Sequence, residues 1–269
     1  MTKFALLKYE ANLGDEMQSL AAMQFLPRVD YFIRREDLNK YKFPVKTKII
    51  LNGWFDFTEG QWPPNDPNLK PLLISMHLVN TKNLDGEMEY YKKNSPVGCR
   101  DFSTMERLKK NNIDAYFSGC LTLTLENKFK ERNNKIYFIE LDKSLLRAVP
   151  RRYRRDVEFI THIDQSTGNR FKLAQELLDK YSQAKMVVTS RLHGALPCLA
   201  LETPVLFVDK NDKDPRLQGL LPLIKNCKEK DVAKEVQKIN WHNPEKNSAN
   251  ISEFREKLIK SCRDFINND

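Results

Sequence analysis

No stretch of this 269-residue chain reaches the roughly 18 consecutive apolar residues that a membrane-spanning helix requires. The opening residues Met1-Thr2-Lys3-Phe4-Ala5-Leu6-Leu7-Lys8 are too briefly apolar for a secretory signal. Cysteine is sparse: Cys99, Cys120, Cys198, Cys227 and Cys262 are odd in number and far apart, with no CxxC pair and no zinc-ligand spacing. That pattern argues against a disulfide framework or a zinc module and predicts a cytoplasmic protein with reduced thiols. The sequon Asn250-Ile251-Ser252 is then a chance match. The Walker loop, GxGxxG, HExxH and GxSxG are also missing. Nucleotide hydrolysis, dinucleotide chemistry and serine esterase chemistry therefore lack their signatures. Repeats and low-complexity tracts do not occur.

Positive charge, by contrast, is in excess. A formal net charge of +9 favours anionic partners: nucleic acid, acidic headgroups or phosphorylated small molecules. Much of it is dispersed, but Arg147, Arg151, Arg152, Arg154 and Arg155 crowd around Pro150. The cluster reads as a solvated basic patch or as a peripheral contact with a membrane face or a lipid pyrophosphate. Without a zinc knuckle, an RNP motif or a basic heptad, nucleic acid is not an expected partner.

Strand-like runs alternate with helical patterns almost from end to end. Runs at 4–9, 29–33, 48–51, 72–76, 97–99 and 114–117 read as strands of a first half. Helices are expected from Gly14 onward, over 85–93 and over 102–110; Met17, Leu20 and Ala21 share a face of the first. A second half has strands at 135–141, 157–162, 186–189 and 205–208 and helices at 145–149, 170–181 and 192–201, then two or three polar helices. Pro197 must sit near the first turn of its helix or kink it. The segment 60–67, rich in proline, reads as a rigid loop. Such alternation predicts an α/β protein with mostly parallel sheets and helices on both faces. Two Rossmann-type domains are expected, 1–125 and 126–269, with the boundary near 123–134.

In open parallel sheets ligands bind beyond the carboxyl ends of the strands, so loops 10–15, 98–101, 118–122, 162–168 and 190–194 are the places to search. The last is the most informative. An apolar strand ends in Ser190 and delivers Arg191 and His193 at the start of a helix, where free N–H groups and the dipole favour an anion. A guanidinium and an imidazole there suit a phosphate or carboxylate with an acid/base beside it. The plainer reading has Ser190 capping, Arg191 in solvent and His193 packing. In Asn12-Leu13-Gly14-Asp15, Gly14 permits close backbone approach, and Asp15 caps the helix or contacts a hydroxylated substrate. Arg100 is a candidate bidentate clamp or a surface partner of Asp101, which can cap the following helix. Ser118-Gly119-Cys120-Leu121-Thr122 offers small residues and hydroxyls, and Cys120, with no base nearby in sequence, reads as a buried thiol. His162 and Asp164 share a strand face and form an acid/base pair only if both turn to the cleft. His77 and His242 read as ordinary surface or core histidines.

Taken in order, these loops resemble the polysaccharide pyruvyl transferase family. The resemblance rests on Asn12-x-Gly14-Asp15-x-x-Gln18, Gly98-x-Arg100-Asp101, Ser118-Gly119-Cys120-x-Thr122 and Ser190-Arg191-Leu192-His193-Gly194, followed by Thr203-Pro204-Val205. It covers roughly the first three-quarters of the chain. It implies a GT-B-like pair of Rossmann-type halves with an interdomain cleft. It also implies transfer of pyruvate from phosphoenolpyruvate onto two sugar hydroxyls as a ketal, with release of phosphate. Arg100 and the Leu192-His193 turn would then hold the donor. Asn12, Gly14, Ser118, Gly119, Cys120, Ser190, Arg191 and Gly194 complete the substrate-binding candidates.

Ketal formation needs a proton on the donor's methylene carbon and a base for each attacking hydroxyl. His193 is the candidate for protonating or steadying the leaving phosphate, and Asp15 or Asp164 for acting on the acceptor. No metal or other cofactor is expected, since arginines and helix-terminal N–H groups can neutralise the phosphate. The expected partners are phosphoenolpyruvate and a glycan or lipid-linked saccharide, in the cytoplasm or at the inner face of the membrane. Two departures stand out: the chain is shorter than many relatives, and Pro197 lies inside the helix that carries the key turn. A GT-B-type glycosyltransferase using a nucleotide sugar remains an alternative, with Glu202 as its nearby acidic candidate. So does a non-catalytic module that binds glycolipid or nucleic acid through the arginine cluster.

Overall fold

The computed structural model describes every residue except 11, 56–61, 80–85, 165–167 and 269. The first half runs through β1 (Lys3–Lys8), α1 (Leu13–Met23), β2 (Tyr31–Arg34), β3 (Thr47–Phe55), β4 (Leu69–Leu78), α2 (Met88–Lys93), β5 (Val97–Cys99), α3 (Phe102–Lys110) and β6 (Ala115–Phe117). The second contains β7 (Ile136–Ile139), β8 (Val157–Ile160), α4 (Arg170–Gln183), β9 (Met186–Thr189), α5 (Leu192–Ala200), β10 (Val205–Asp209), β11 (Asn226–Lys228) and α6 (Val232–Lys238), followed by α7 (Ser252–Asn267). Two sheets result, ordered β2-β1-β3-β4-β5-β6 and β11-β10-β9-β7-β8. Every strand pairing in them is parallel. This is the α/β architecture the alternation predicts, two parallel sheets of Rossmann type, one in each half. Strand order reverses at β1 in one sheet and at β7 in the other, so each sheet has a switch point where ligands collect.

Strands covered on both faces read as continuous apolar runs. Along β1, Leu6 enters the core shared by the two halves, whereas Ala5 and Leu7 enter the outer core of the first sheet. The shared core sets Met17 and Ala21 of α1 among Leu178 and Tyr181 of α4 and Leu196 of α5. Each such fully buried large apolar side chain contributes about 1.5–3 kcal/mol, so one apolar layer fastens the halves together. A third cluster, with Phe138, Val188 and Trp241, covers the outer face of the second sheet. Helix α7 then returns to the first half, where Phe254 meets Phe117 at 5.6 Å between ring centroids. The buried Lys48 ammonium donates to the carbonyls of Phe265, Ile266 and Asn268 at the helix's C-terminal end.

Some elements differ from the expected bounds. β3 runs on to Phe55, and β4 spans Leu69–Leu78, longer than the expected 48–51 and 72–76. β8 stops at Ile160, and in place of the helix expected over 145–149 there is a 3-10 segment, Lys143–Ala148. β11 has a single apolar residue, Cys227, and escapes any periodicity test. Parts of the expected helix at 85–93 and of loops 60–67 and 162–168 lie outside the described residues.

One irregularity matters for the site. Pairing between β3 and β4 steps from Leu51–Leu73 to Gly53–Met76, so β4 carries an extra residue, with Ser75 at φ 55°. Gly53 has φ 136°, and a Cβ there would stand 2.6 Å from the Tyr9 hydroxyl, which leaves glycine as the residue that fits. The bulge inverts the two-residue alternation. Leu73, Met76 and Leu78 all enter the outer core, and His77 is turned to the other face, against Asp101.

Candidate active site

The two switch points are stitched directly together. Leu13 N–H donates to the His162 carbonyl (2.8 Å), and Asn12 forms an antiparallel bridge with Ile163. Asn12 also caps α1, its side-chain oxygen accepting from Gly14 N–H at 3.0 Å. Asn12, not Asp15, is therefore the cap, which removes the capping alternative for Asp15. A Cβ on Gly14 would lie 3.0 Å from both His162 Nδ1 and His193 Cβ. Glycine is needed here for close approach by two histidines of the other half.

A buried polar chain crosses the junction. Arg100 Nη1 donates to Gln18 Oε1 (3.2 Å), Gln18 Nε2 donates to Asp15 Oδ1 (3.0 Å), and Asp15 Oδ1 stands 3.9 Å from His193 Nδ1. Arg100, 2% exposed, emerges at the end of β5 with its own N–H bonded to Met76. Its Nε–H and His193 Nε2 are buried and have no hydrogen-bond partner among the described residues. Such orphans are costly unless a ligand satisfies them. Burial pushes the Asp15 carboxyl up, against the pull of Arg35 and Arg100. Burial, together with the guanidinium of Arg100, holds the His193 imidazole well below its ordinary range, so it is neutral at pH 7.

The other predicted residues divide. Ser118 bonds the backbone, donating to the Cys99 and Gly119 carbonyls and accepting from Ser75 N–H. Gly119 takes φ 69° in the turn that follows. Cys120 is fully buried in the shared core, and burial pushes its thiol up. Leu192 packs on the same core. A Cβ on Gly194 would lie 2.6 Å from the Thr189 hydroxyl, so glycine lets α5 start tight against β9.

Ser190 does not cap α5. Arg191 is the N-cap residue, without a side-chain capping bond, and the Ser190 hydroxyl donates to the Glu140 carbonyl. The Arg191 guanidinium lies 3.5 Å from the Glu140 carboxylate. Pro197 sits inside α5, beyond its first turn, and supplies no N–H to the His193 carbonyl. His162 and Asp164 do not pair. His162 Nε2 shares a 2.6 Å hydrogen bond with the Tyr181 hydroxyl, while Asp164 faces Arg170 at 3.8 Å. The strand ends before them, so the two-residue alternation no longer applies.

Three further groups at the site were not among the candidates: His77 (expected to be an ordinary histidine), Glu16 and Arg216. His77 Nδ1 is 2.7 Å from Asp101 Oδ2, directly beside Arg100. Glu16 accepts from Tyr9 N–H and from Arg170 Nε–H, and burial pushes it up to about 7. Arg216, paired with Asp214 in the loop after β10, acts electrostatically on Asp15, His77 and His193. That loop reaches the first half, where the Gln218 carbonyl accepts from Phe102 N–H at 3.2 Å. A position directly after a predicted strand was the one available signal for His77; Arg216 had none.

The arginine cluster lies elsewhere. Arg151–Asp156 forms a 3-10 segment leading into the N-terminal end of β8, whereas the site occupies the C-terminal ends of the strands. Arg154 is spent internally, donating to the Val149 and Arg147 carbonyls. Arg151, Arg152 and Arg155 are exposed.

Comparison with solved structures finds a functionally uncharacterised protein from Klebsiella pneumoniae, with 17% identity over 84% of this chain and 92% of that one and a TM-score of 0.47. It also finds the wall teichoic acid polymerase TagF (11%, 99% and 84%, TM-score 0.39) and the E. coli heptosyltransferase WaaC with ADP (12%, 98% and 99%, TM-score 0.29). A comparison with curated protein sequences gives no match. The family model for polysaccharide pyruvyl transferase matches residues 12–212, from the Asn12 cap through the Arg100, Ser118 and His193 loops to the turn after β10. The chain belongs to the polysaccharide pyruvyl transferase family.

Proposed function

We propose that this transferase takes the pyruvyl group from phosphoenolpyruvate and forms a ketal on a sugar of a cell-surface polysaccharide or its lipid-linked precursor, releasing phosphate. The observation that carries this reading is the pair of unmatched buried groups, Arg100 Nε–H and His193 Nε2, contributed by opposite halves. A small ligand bearing both carboxylate and phosphate would satisfy them, with Arg216 and the first N–H groups of α5 supplying further positive potential. The His193 pKa is depressed first by burial and then by the Arg100 guanidinium; an anion bound there offsets the second of these, so the pKa rises as the donor arrives. The imidazole then gains a proton beside the phosphate that must leave. We assign to Asp15, whose raised pKa favours the acid form, the delivery of a proton to the methylene carbon. The Asp15–His193 pair thus joins a first-half acid to a second-half phosphate ligand. A phosphorylated donor and five buried free thiols suit the cytoplasm. No helix among the described residues is long and apolar enough to cross a membrane.

The test is thermal unfolding with phosphoenolpyruvate and, separately, with nucleotide sugars, for the wild type, Arg100→Ala and Arg216→Ala. At about 100 times Kd a native-state ligand adds roughly 2.7 kcal/mol, a rise of about 5–10 °C for a chain of this size. The expected result is a rise with phosphoenolpyruvate that is lost in Arg100→Ala and reduced in Arg216→Ala. A rise with a nucleotide sugar alone would replace this reading with glycosyl transfer.

A further inference from the structure

We infer that His77, held by Asp101, is the base that accepts the proton of an attacking sugar hydroxyl. The inference rests on the pyruvyl-transfer reading and supplies it with an acceptor-side residue. Three observations converge on it. The bulge at Ser75 lifts His77 out of the outer core and turns it against Asp101. Asp101 is fully buried and held at both oxygens: Oδ1 accepts from Thr104 N–H (2.9 Å) as the cap of α3, and Oδ2 faces His77 Nδ1 at 2.7 Å. The ring's hydrogen-bond contacts among the described residues, with Asp101 and the Thr104 hydroxyl (3.5 Å), are both at Nδ1.

A carboxylate oxygen can only accept from the ring, so the hydrogen is assigned to Nδ1 and the Nε2 lone pair is left for a substrate. Asp101 is therefore a positioning residue. His77 also lies beside the groups assigned to the donor, Arg100 among them. It stands one residue before the end of β4, with Arg216 and Asp214 of the other half close enough to interact with it electrostatically. Burial and the two guanidiniums outweigh Asp101 and keep the imidazole neutral, hence basic, at pH 7.

The reaction balances with His77 as a carrier. Two O–H bonds break and two O–C2 bonds form. The C2–O bond to phosphate breaks with its electron pair on phosphate, one proton ends in the new methyl group and the other on phosphate. His77 takes a hydroxyl proton as an O–C2 bond forms and releases it to solvent or phosphate.

The test compares His77→Gln and Asp101→Asn with the wild type. It follows phosphate release from phosphoenolpyruvate in the presence of methyl hexopyranosides bearing free 4,6- or 3,4-diols. Both variants are expected to lose on the order of 10²–10⁴ in kcat while keeping the wild-type thermal shift with phosphoenolpyruvate. In Asp101→Asn the carboxamide can still cap Thr104, but its NH₂ now faces Nδ1, so ¹⁵N shifts of the imidazole should report a switch to the Nε2–H tautomer. Full turnover by His77→Gln with a normal donor shift would overturn the base assignment alone. So would an Nε2–H tautomer in the wild type, whichever sugars are turned over. Loss of the donor shift in His77→Gln would make His77 a donor ligand instead. No donor shift in the wild type would sink the pyruvyl reading itself.

Discussion

Asp15 and His193 each stand in the first turn of a helix from a different half, yet Asp15 Oδ1 lies 3.9 Å from His193 Nδ1. Neither half could build this contact alone. It depends on the backbone at Gly14, where no side chain intervenes between the helices.

Gly14→Ala should expose that dependence. The added Cβ meets two histidines at 3.0 Å, closer than nearly all packed carbons, and overpacking of this kind costs about 1–3 kcal/mol. A fall in Tm of several degrees is expected by calorimetry, with a more than tenfold loss of phosphate release. Wild-type turnover in this variant would mean that the Asp15–His193 spacing does not matter.

Acid should destabilise the fold through His162. Burial holds its folded pKa at about 4, below the ordinary 6.5. The stability it protects is therefore present above pH 6.5 and drains away as pH falls toward 4, by about 3 kcal/mol. Glu16 works in the opposite sense. Its folded value of about 7 lies above 4.5, so it favours the fold below pH 4.5 and loses that effect as pH rises to 7. Denaturant melts between pH 4 and 7.5 should show a shallower acid limb in His162→Gln and a steeper one in Glu16→Gln. Parallel curves for all three proteins would contradict the assignment.

The exposed arginines should separate membrane contact from chemistry. Replacing Arg151, Arg152 and Arg155 by Gln is expected to abolish co-sedimentation with phosphatidylserine vesicles at low salt. Phosphate release with a soluble acceptor should stay within about twofold of wild type, because the cluster lies at the opposite ends of the strands from the site. Arg154 is left intact because it bonds two carbonyls. Vesicle binding that survives the substitutions would remove this face as a membrane contact.

Much of this was legible in the residues. β5, β9 and α3 are found at their predicted bounds because their apolar runs are short and sharply flanked, by Asp101 capping one side and Ser190 ending another. Asp15, Arg100 and His193 were legible because each follows a strand end, where a parallel sheet offers its residues to a ligand. Long-range choices of partner were not. Asp15 resembles a cap, but Asn12 takes that bond. Arg191 is an anion-ligand candidate by its position, and its neighbour Glu140, held at φ 55° after β7, could not be foreseen. His77 was hidden because a single extra residue at Ser75 changes its face. No local pattern announces such a bulge before the partner strand is known. Arg216 reaches the site from a turn whose own sequence predicts only a turn.

The return of α7 to the first sheet has a mechanical meaning. The chain passes between the halves twice, once after β6 and once before α7, so two tethers join them in place of one. With two crossings and one shared apolar layer, neither half can unravel without loosening the other. The protein is built like a sewn binding, and the Asp15–His193 gap lies along its seam.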